Sequence, residues 1–270
     1  STSLRSWLKH LAQTQRLAAM KAGVSLTHQL AAISKHLDGK QATLFPAPDG
    51  HAIPVVSGLV ARRAWIAEAM GVSESDMLSH FQHAARNPLP WREIVDAPVQ
   101  GEVHHSVDLT RMLPVPTHNE HDSGPYITAG LLIARNPRTG VQNVSINRCQ
   151  ISSGNRMGVL ILPRHAHAFY EAAEAAGDAL EVAVVVGVDP MTLLASQAIV
   201  PIDHFSTRWR RTMRSSRCLG IMRPPVQGRR SGPRRANGGN GSMKAICRSV
   251  PALKARCPAL PESWAMFINE

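Results

Sequence analysis

Residues 141–165 read VQNVSINRCQISSGNRMGVLILPRH and gather side chains able to do chemistry. Asn143 offers an amide, Ser145 a hydroxyl and Arg148 a guanidinium; after a Gly-containing turn, Arg164 adds a second guanidinium and His165 an imidazole. Oxygen and nitrogen donors suit a divalent cation, and a guanidinium fork matches the oxygens of a phosphate or a carboxylate. These residues stand at the ends of apolar runs, so strands are expected to position them.

The flanking sequence predicts those strands. Residues 126–134 and 141–147 are apolar and are joined by Asn136-Pro137-Arg138-Thr139-Gly140, a hairpin turn. Residues 157–162 follow a Ser-Ser-Gly-Asn turn as a third strand. Three sequential strands with tight turns predict an antiparallel sheet or small barrel. A helix is expected over 165–177, ended by Gly177, then a buried strand and a helix opened by Pro190 within 181–200. Upstream, Ser3 is a candidate cap for a helix over 2–12, and a second helix fits 25–37. Residues 42–60 read as strand, turn, strand, and 61–70 as a helix stopped by Gly71. Ser73 and Asp76 form a capping box for one more helix. Trp7, Trp65, Phe81 and Trp91 read as core residues of this small α/β unit. Between 104 and 121 lie His104, His105, His118 and His121, whose spacing matches no zinc pattern. A substrate-side role fits their loop better, because Gly-Pro-Tyr leads from it into the strand beside the central motif.

Charge divides the chain. Residues 1–203 hold 16 Lys+Arg and 17 Asp+Glu, a net of −1, whereas residues 204–270 hold 14 and 2, a net of +12. The formal +11 therefore describes neither part. From His204 onward the sequence is rich in Arg, Gly, Pro and Ser, without a period of 2 or 3.6, which predicts a basic tail of low order. Cys149 is the one cysteine before residue 204, and no C-x-x-C pair occurs, so a reducing, cytoplasmic setting is expected. No 18-residue apolar run is present, so no membrane span is expected, and the amphipathic start lacks the apolar core of a signal peptide. The chain starts on Ser1 rather than Met, which fits removal of an initiator or a piece of a longer sequence.

Three blocks, GPYITAGLLIARNPRTGVQNVSINR at 124–148, GVLILPRH at 158–165 and ALEVAVVVGVDPMTLLASQAIVPI at 179–202, resemble the UbiD family of reversible decarboxylases. These enzymes use prenylated flavin mononucleotide (prFMN). The resemblance implies an α+β fold: an N-terminal α/β domain, here 1–103, and a central split β-barrel that binds the flavin, here 104–203 and incomplete. It implies a metal role for Asn143 and His165, and cofactor contacts from Ser145, Ile146, Asn147, Arg148, Arg164 and His165. It further implies catalysis by Arg148, with Mn2+ and K+ as the ions. The reaction implied is non-oxidative decarboxylation of an aromatic, heteroaromatic or α,β-unsaturated acid, in which carbanion charge needs a cofactor as electron sink.

Departures accompany the resemblance. The family's third metal ligand, a Glu after the Pro-Ile turn, is replaced by the stretch that begins at His204. The two downstream carboxylates that complete the arginine–acid network have no counterpart, because Glu262 and Glu270 are the only acids after Asp203. A frameshift or equivalent truncation near residue 204 is therefore expected, with impaired turnover. Loss of the dimer or hexamer formed through the family's C-terminal domain is expected with it. Two other readings stay open: a nucleic-acid-binding protein using Arg229, Arg230, Arg234 and Arg235, for which aromatic interleaving is thin, and a flavin-binding module without turnover.

Overall fold

The computed structural model describes residues 3–87, 102–104 and 107–199, together with three strands beyond them at 218–222, 240–249 and 266–268. The architecture is α+β. Helix α1 (Leu4–Gln13) starts at Ser3, whose side chain accepts from Ser6 N in a reciprocal capping box, and its apolar stripe buries Trp7, Leu8 and Leu11. Strand β1 (Leu17–Ala19), helix α2 (Gln29–Leu37) and strand β2 (Ala42–Phe45) form a parallel crossover unit, and β3 (Val55–Ser57) returns antiparallel to β2. Alternation along these strands divides the core. Leu44 and Val56 face Trp7, Leu11 and Trp65, whereas Phe45 and Val55 join the central core. Helix α3 (Arg63–Met70) ends on Gly71 in the left-handed region at φ 75°, and α4 (Met77–Arg86) follows the Ser73–Asp76 hydrogen bonds. Trp7 and Trp65 are buried and Phe81 packs at a core edge, as expected; Trp91 lies outside the described residues.

The second layer is one large sheet. Its strands are β4 (Glu102–His104), β5 (Tyr126–Ile127), β6 (Leu131–Arg135), β7 (Gln142–Ile146), β8 (Cys149–Ser153), β9 (Arg156–Leu160), β10 (Val182–Val185), β11 (Cys218–Met222) and β12 (Asn240–Ser249). Along it the order is β5-β8-β9-β12-β11-β10-β6-β7, with β4 on β12 and no pairing between the ends among the described residues. Short helix α5 (Leu109–Met112) precedes β5; α6 (His165–Ala175) and α7 (Pro190–Ala195) flank β10.

Two features depart from the sequence reading. The run 126–134 breaks at Thr128–Gly130, where Val184 and Ile127 leave no room for a side chain on Gly130. The sequential strands are two separate hairpins, β6–β7 and β8–β9, and β7 and β8 do not pair with each other; Asn147 and Arg148 lie between them in neither strand. Beyond residue 203 the described strands are β11, β12 and β13 (Met266–Ile268), which pair with β10, β9, β4 and β3.

Candidate functional site

Strand register settles which side chains share a face. Ala134 pairs with Asn143 and Leu132 with Ser145, so these four point the same way. Leu132 and Ala134 belong to the core formed with Ala166, Phe169 and Ala173 of α6. On the other face, Leu131 and Val144 pack with Val185 and Leu193, and Ile146 lies against them. Helix α6 packs on β6 and β7, so Asn143, Ser145 and the helix that begins at His165 occupy one side of the sheet. The Ile146 side chain is on the opposite side, which leaves only its backbone to serve a ligand among these donors.

A hydrogen-bond row runs along β7 at every second residue. Asn143 Nδ2 donates to Ser145 Oγ at 3.4 Å, Ser145 Oγ donates to Asn147 Oδ1 at 2.7 Å, and Asn147 Nδ2 donates to the Leu160 carbonyl at 3.1 Å. The last bond ties the end of β7 to the end of β9, just ahead of the loop that carries Arg164 and His165. Arg164 is exposed and occupies the N-cap position of α6 without a side-chain cap, and His165 is half-buried. An uncapped first turn beside a guanidinium and an imidazole has the chemistry of a phosphate site: amide donors, the positive end of the helix dipole and a fixed cation. A flavin phosphate fits this donor set.

The cation half is less complete. Asn143 and His165 bring no carboxylate or thiolate, and among the described residues no three His, Cys, Asp or Glu side chains gather as a metal group. Position 204, where the resemblance implies a third ligand, lies outside those residues.

Arg148 belongs to a different cluster. Its side chain is 58% exposed, its guanidinium lies 4.8 Å from the centre of the Tyr126 ring, and Nη2 is 3.7 Å from Asp122 Oδ1. Asp122 Oδ2 accepts from Asn119 N, Tyr126 Oη meets Ser123 Oγ at 2.9 Å, and Gln150 Nε2 donates to Ser123. Beneath lies His118, with both ring nitrogens buried; burial pushes its imidazole below the usual range, Asp122 opposing and Arg148 adding to the shift. The sequence had assigned Arg148 a carboxylate partner from downstream, and Asp122 was missed. Its one signal was the position of its loop, directly ahead of Gly124-Pro125-Tyr126. A hollow of about 500 Å³ between α4 and the end of α7 is lined by Leu78, Phe81, Ala85 and Ile199, and no member of either cluster lines it.

Residues 8–85 match the 3-octaprenyl-4-hydroxybenzoate carboxy-lyase N-terminal domain, and residues 92–216 match the Rift-related domain of the same enzymes. The anhydromevalonate phosphate decarboxylase of Methanothermobacter thermautotrophicus is 39% identical over 151 residues, covering 56% of this chain and 35% of that protein. The chain thus spans about a third of that relative's length. Among solved structures, the UbiD-class enzyme HmfF from Pelotomaculum thermopropionicum in complex with FMN superposes with a TM-score of 0.81 at 32% identity, over 98% of this chain and 64% of that one. An evolved dimeric form of the same enzyme in complex with prFMN gives 0.80 at 32% identity, over 99% and 68%. With two domains of one enzyme group matched in order along the chain, and the fold shared with an enzyme seen holding flavin, this chain belongs to the UbiD family of carboxy-lyases.

Proposed function

We propose that the chain is the flavin-binding portion of a decarboxylase that removes CO2 from an aromatic, heteroaromatic or α,β-unsaturated acid with prFMN. The observation that carries this is the single face shared by Asn143, Ser145 and the uncapped start of α6. Ser145, Asn147, Arg164 and His165 would hold the phosphate of the flavin. Asn143 and His165 would give two ligands to Mn2+, with K+ nearby, and phosphate oxygens would supply others. Bound prFMN supplies the electron sink that no side chain provides. Arg148, with donors left over from its contacts to Asp122 and Tyr126, orients the substrate carboxylate through its planar fork. The proton donor that the resemblance implies has no counterpart in this chain, in which Glu262 and Glu270 are the only acids after Asp203.

The test is retention of flavin. The full chain, co-expressed with a flavin prenyltransferase and purified, is expected to carry flavin absorbance, and His165→Ala is expected to reduce it. Protein that emerges colourless and does not take up FMN on titration overturns the reading. Turnover is a separate question: bound flavin without CO2 release would mark a binding module. The charge break at residue 204 is tested by the nucleotide sequence. If no alternative frame restores an acid-containing Val/Ile strand followed by Glu-Gly, the frameshift proposal is wrong.

A further inference from the structure

We propose that Asp122 is a positioning residue that, with Tyr126, sets the direction of the Arg148 guanidinium before any ligand arrives. The proposal deepens the decarboxylase reading and rests on it for the importance of Arg148. Its geometry is independent of that reading.

Three observations converge on it. The Asp122 carboxylate is itself fixed, because Oδ2 accepts from Asn119 N at 3.1 Å while Asp122 N donates to the Asn119 carbonyl at 3.1 Å. One oxygen is thus spent on its own loop, and Oδ1 is the oxygen left facing Arg148 Nη2 at 3.7 Å. The Asp122 side chain is 20% exposed against 58% for Arg148, so the acid is the anchored partner and the arginine the one that needs guidance. Tyr126 gives the second constraint. Its ring lies under the guanidinium, and its hydroxyl is held by Ser123, which Gln150 on β8 also binds. Gly124, at φ 149°, supplies the turn between them, and a Cβ there would meet Gln150 Nε2 at 3.5 Å. A guanidinium drawn over an aromatic face is held in place by its positive charge, and the carboxylate then sets which of its edges faces the loop.

His118 explains why this acid is free to act on Arg148. No described residue bonds to either of its ring nitrogens, and burial favours its neutral form. A neutral imidazole makes no ion pair with Asp122, which leaves the carboxylate charge to the arginine. The loop 117–126 therefore delivers an oriented guanidinium whose other edge can receive a planar anion. Orienting it beforehand removes a share of the ordering cost from ligand binding.

The test uses the full chain and two readouts. In the first, without flavin, nitrogen-15 relaxation of the Arg148 Nε–H, assigned through Arg148→Lys, reports side-chain order. Asp122→Asn keeps an oxygen that can accept from Asn119 N and removes only the charge. It is expected to loosen Arg148 markedly, and Asp122→Glu to restore part of the order. In the second, FMN-loaded protein is titrated with benzoate. Asp122→Asn is expected to weaken benzoate by about two- to fivefold, the scale of a partly exposed ion pair, while FMN affinity stays within about twofold. Arg148 relaxation unchanged in Asp122→Asn overturns the positioning role, whatever the titrations show. Wild-type protein that fails to bind FMN counts against the decarboxylase reading instead, and the relaxation result still decides the role of Asp122.

Discussion

Replacing Glu68 by Gln should destabilise the N-terminal layer by an amount that disappears in acid. Glu68 on α3 accepts from Arg16 Nη1 at 2.6 Å and Nη2 at 2.9 Å, and meets His10 Nε2 of α1 at 2.6 Å. Arg16, just ahead of β1, also lies over the Trp65 ring at 5.6 Å, so one carboxylate links three elements that wrap the first sheet. The Arg16 hydrogen bonds hold its carboxyl well below the usual range, at about 2 against 4.5, with burial opposing and His10 assisting. Were the pair dry, that difference would correspond to roughly 3 kcal/mol. The Glu68 side chain is 37% exposed, and solvent screening reduces the figure to about 1 kcal/mol. The sign follows from a folded pKa lying below the unfolded one. The contribution is complete above about pH 4.5 and is lost as the pH falls toward 2, with about half gone by pH 3. Urea midpoints of wild type and Glu68→Gln, measured from pH 7 down to pH 3, should converge as the pH falls. A gap that is constant with pH, or absent at pH 7, refutes the assignment.

Three further outcomes are expected. Gly130→Ala places a Cβ 2.9 Å from Val184 Cγ1 and 3.0 Å from Ile127 Cγ2, so overpacking should cost about 1–3 kcal/mol in urea unfolding; a neutral effect would show that β6 and β10 shift freely. Cys149 is fully buried and burial pushes its thiol up to about 12, so mass-spectrometric alkylation at pH 8 should leave it unlabelled in native protein and label it in urea. Asp189 caps α7 by accepting from Met191 N, Thr192 N and the Thr192 hydroxyl, so Asp189→Ala should cost about 1–2 kcal/mol, read from chemical denaturation.

Local signals in the sequence reached the N-terminal layer well. Ser3, Gly71, the Asn136–Gly140 turn and Pro190 each act within a few residues, and each forms the cap, turn or helix start its chemistry predicts; Ser73 and Asp76 bond to each other in the turn ahead of α4, whose N-cap is Asp76 without a side-chain cap, so the expected capping box is displaced from the helix. Asn143 and Ser145 were legible as donors at the end of an expected strand, and alternation puts the two on one face. What periodicity does not carry is partnership across long separations. The break at Gly130 depends on Val184, fifty-odd positions away in sequence, and β8 escaped notice because Cys149–Ser153 mixes apolar with hydroxyl and amide side chains. The partner of Arg148 escaped for the same reason. Its loop was placed near the site, yet nothing in a His-rich, Pro-rich stretch singles out Asp122 until the loop is folded.

Asn143 bears the strongest burden in this reading. It is 6% exposed, on a strand whose neighbours bury apolar side chains, and it sits opposite Ala134, a small partner. Folding alone gives little reason for an amide there: its one hydrogen bond, to Ser145, is long at 3.4 Å, and no described donor reaches its oxygen. A buried polar group held this loosely lowers stability relative to an apolar residue of similar shape. Asn143→Leu should therefore leave the unfolding free energy unchanged or raise it by up to about 1 kcal/mol, while weakening FMN at least tenfold, the scale of a hydrogen bond or ligand bond to a charged group. A purely structural amide predicts the reverse pattern, lower stability with flavin affinity intact. Measuring both quantities on one variant separates a residue kept for the fold from one kept for its ligand.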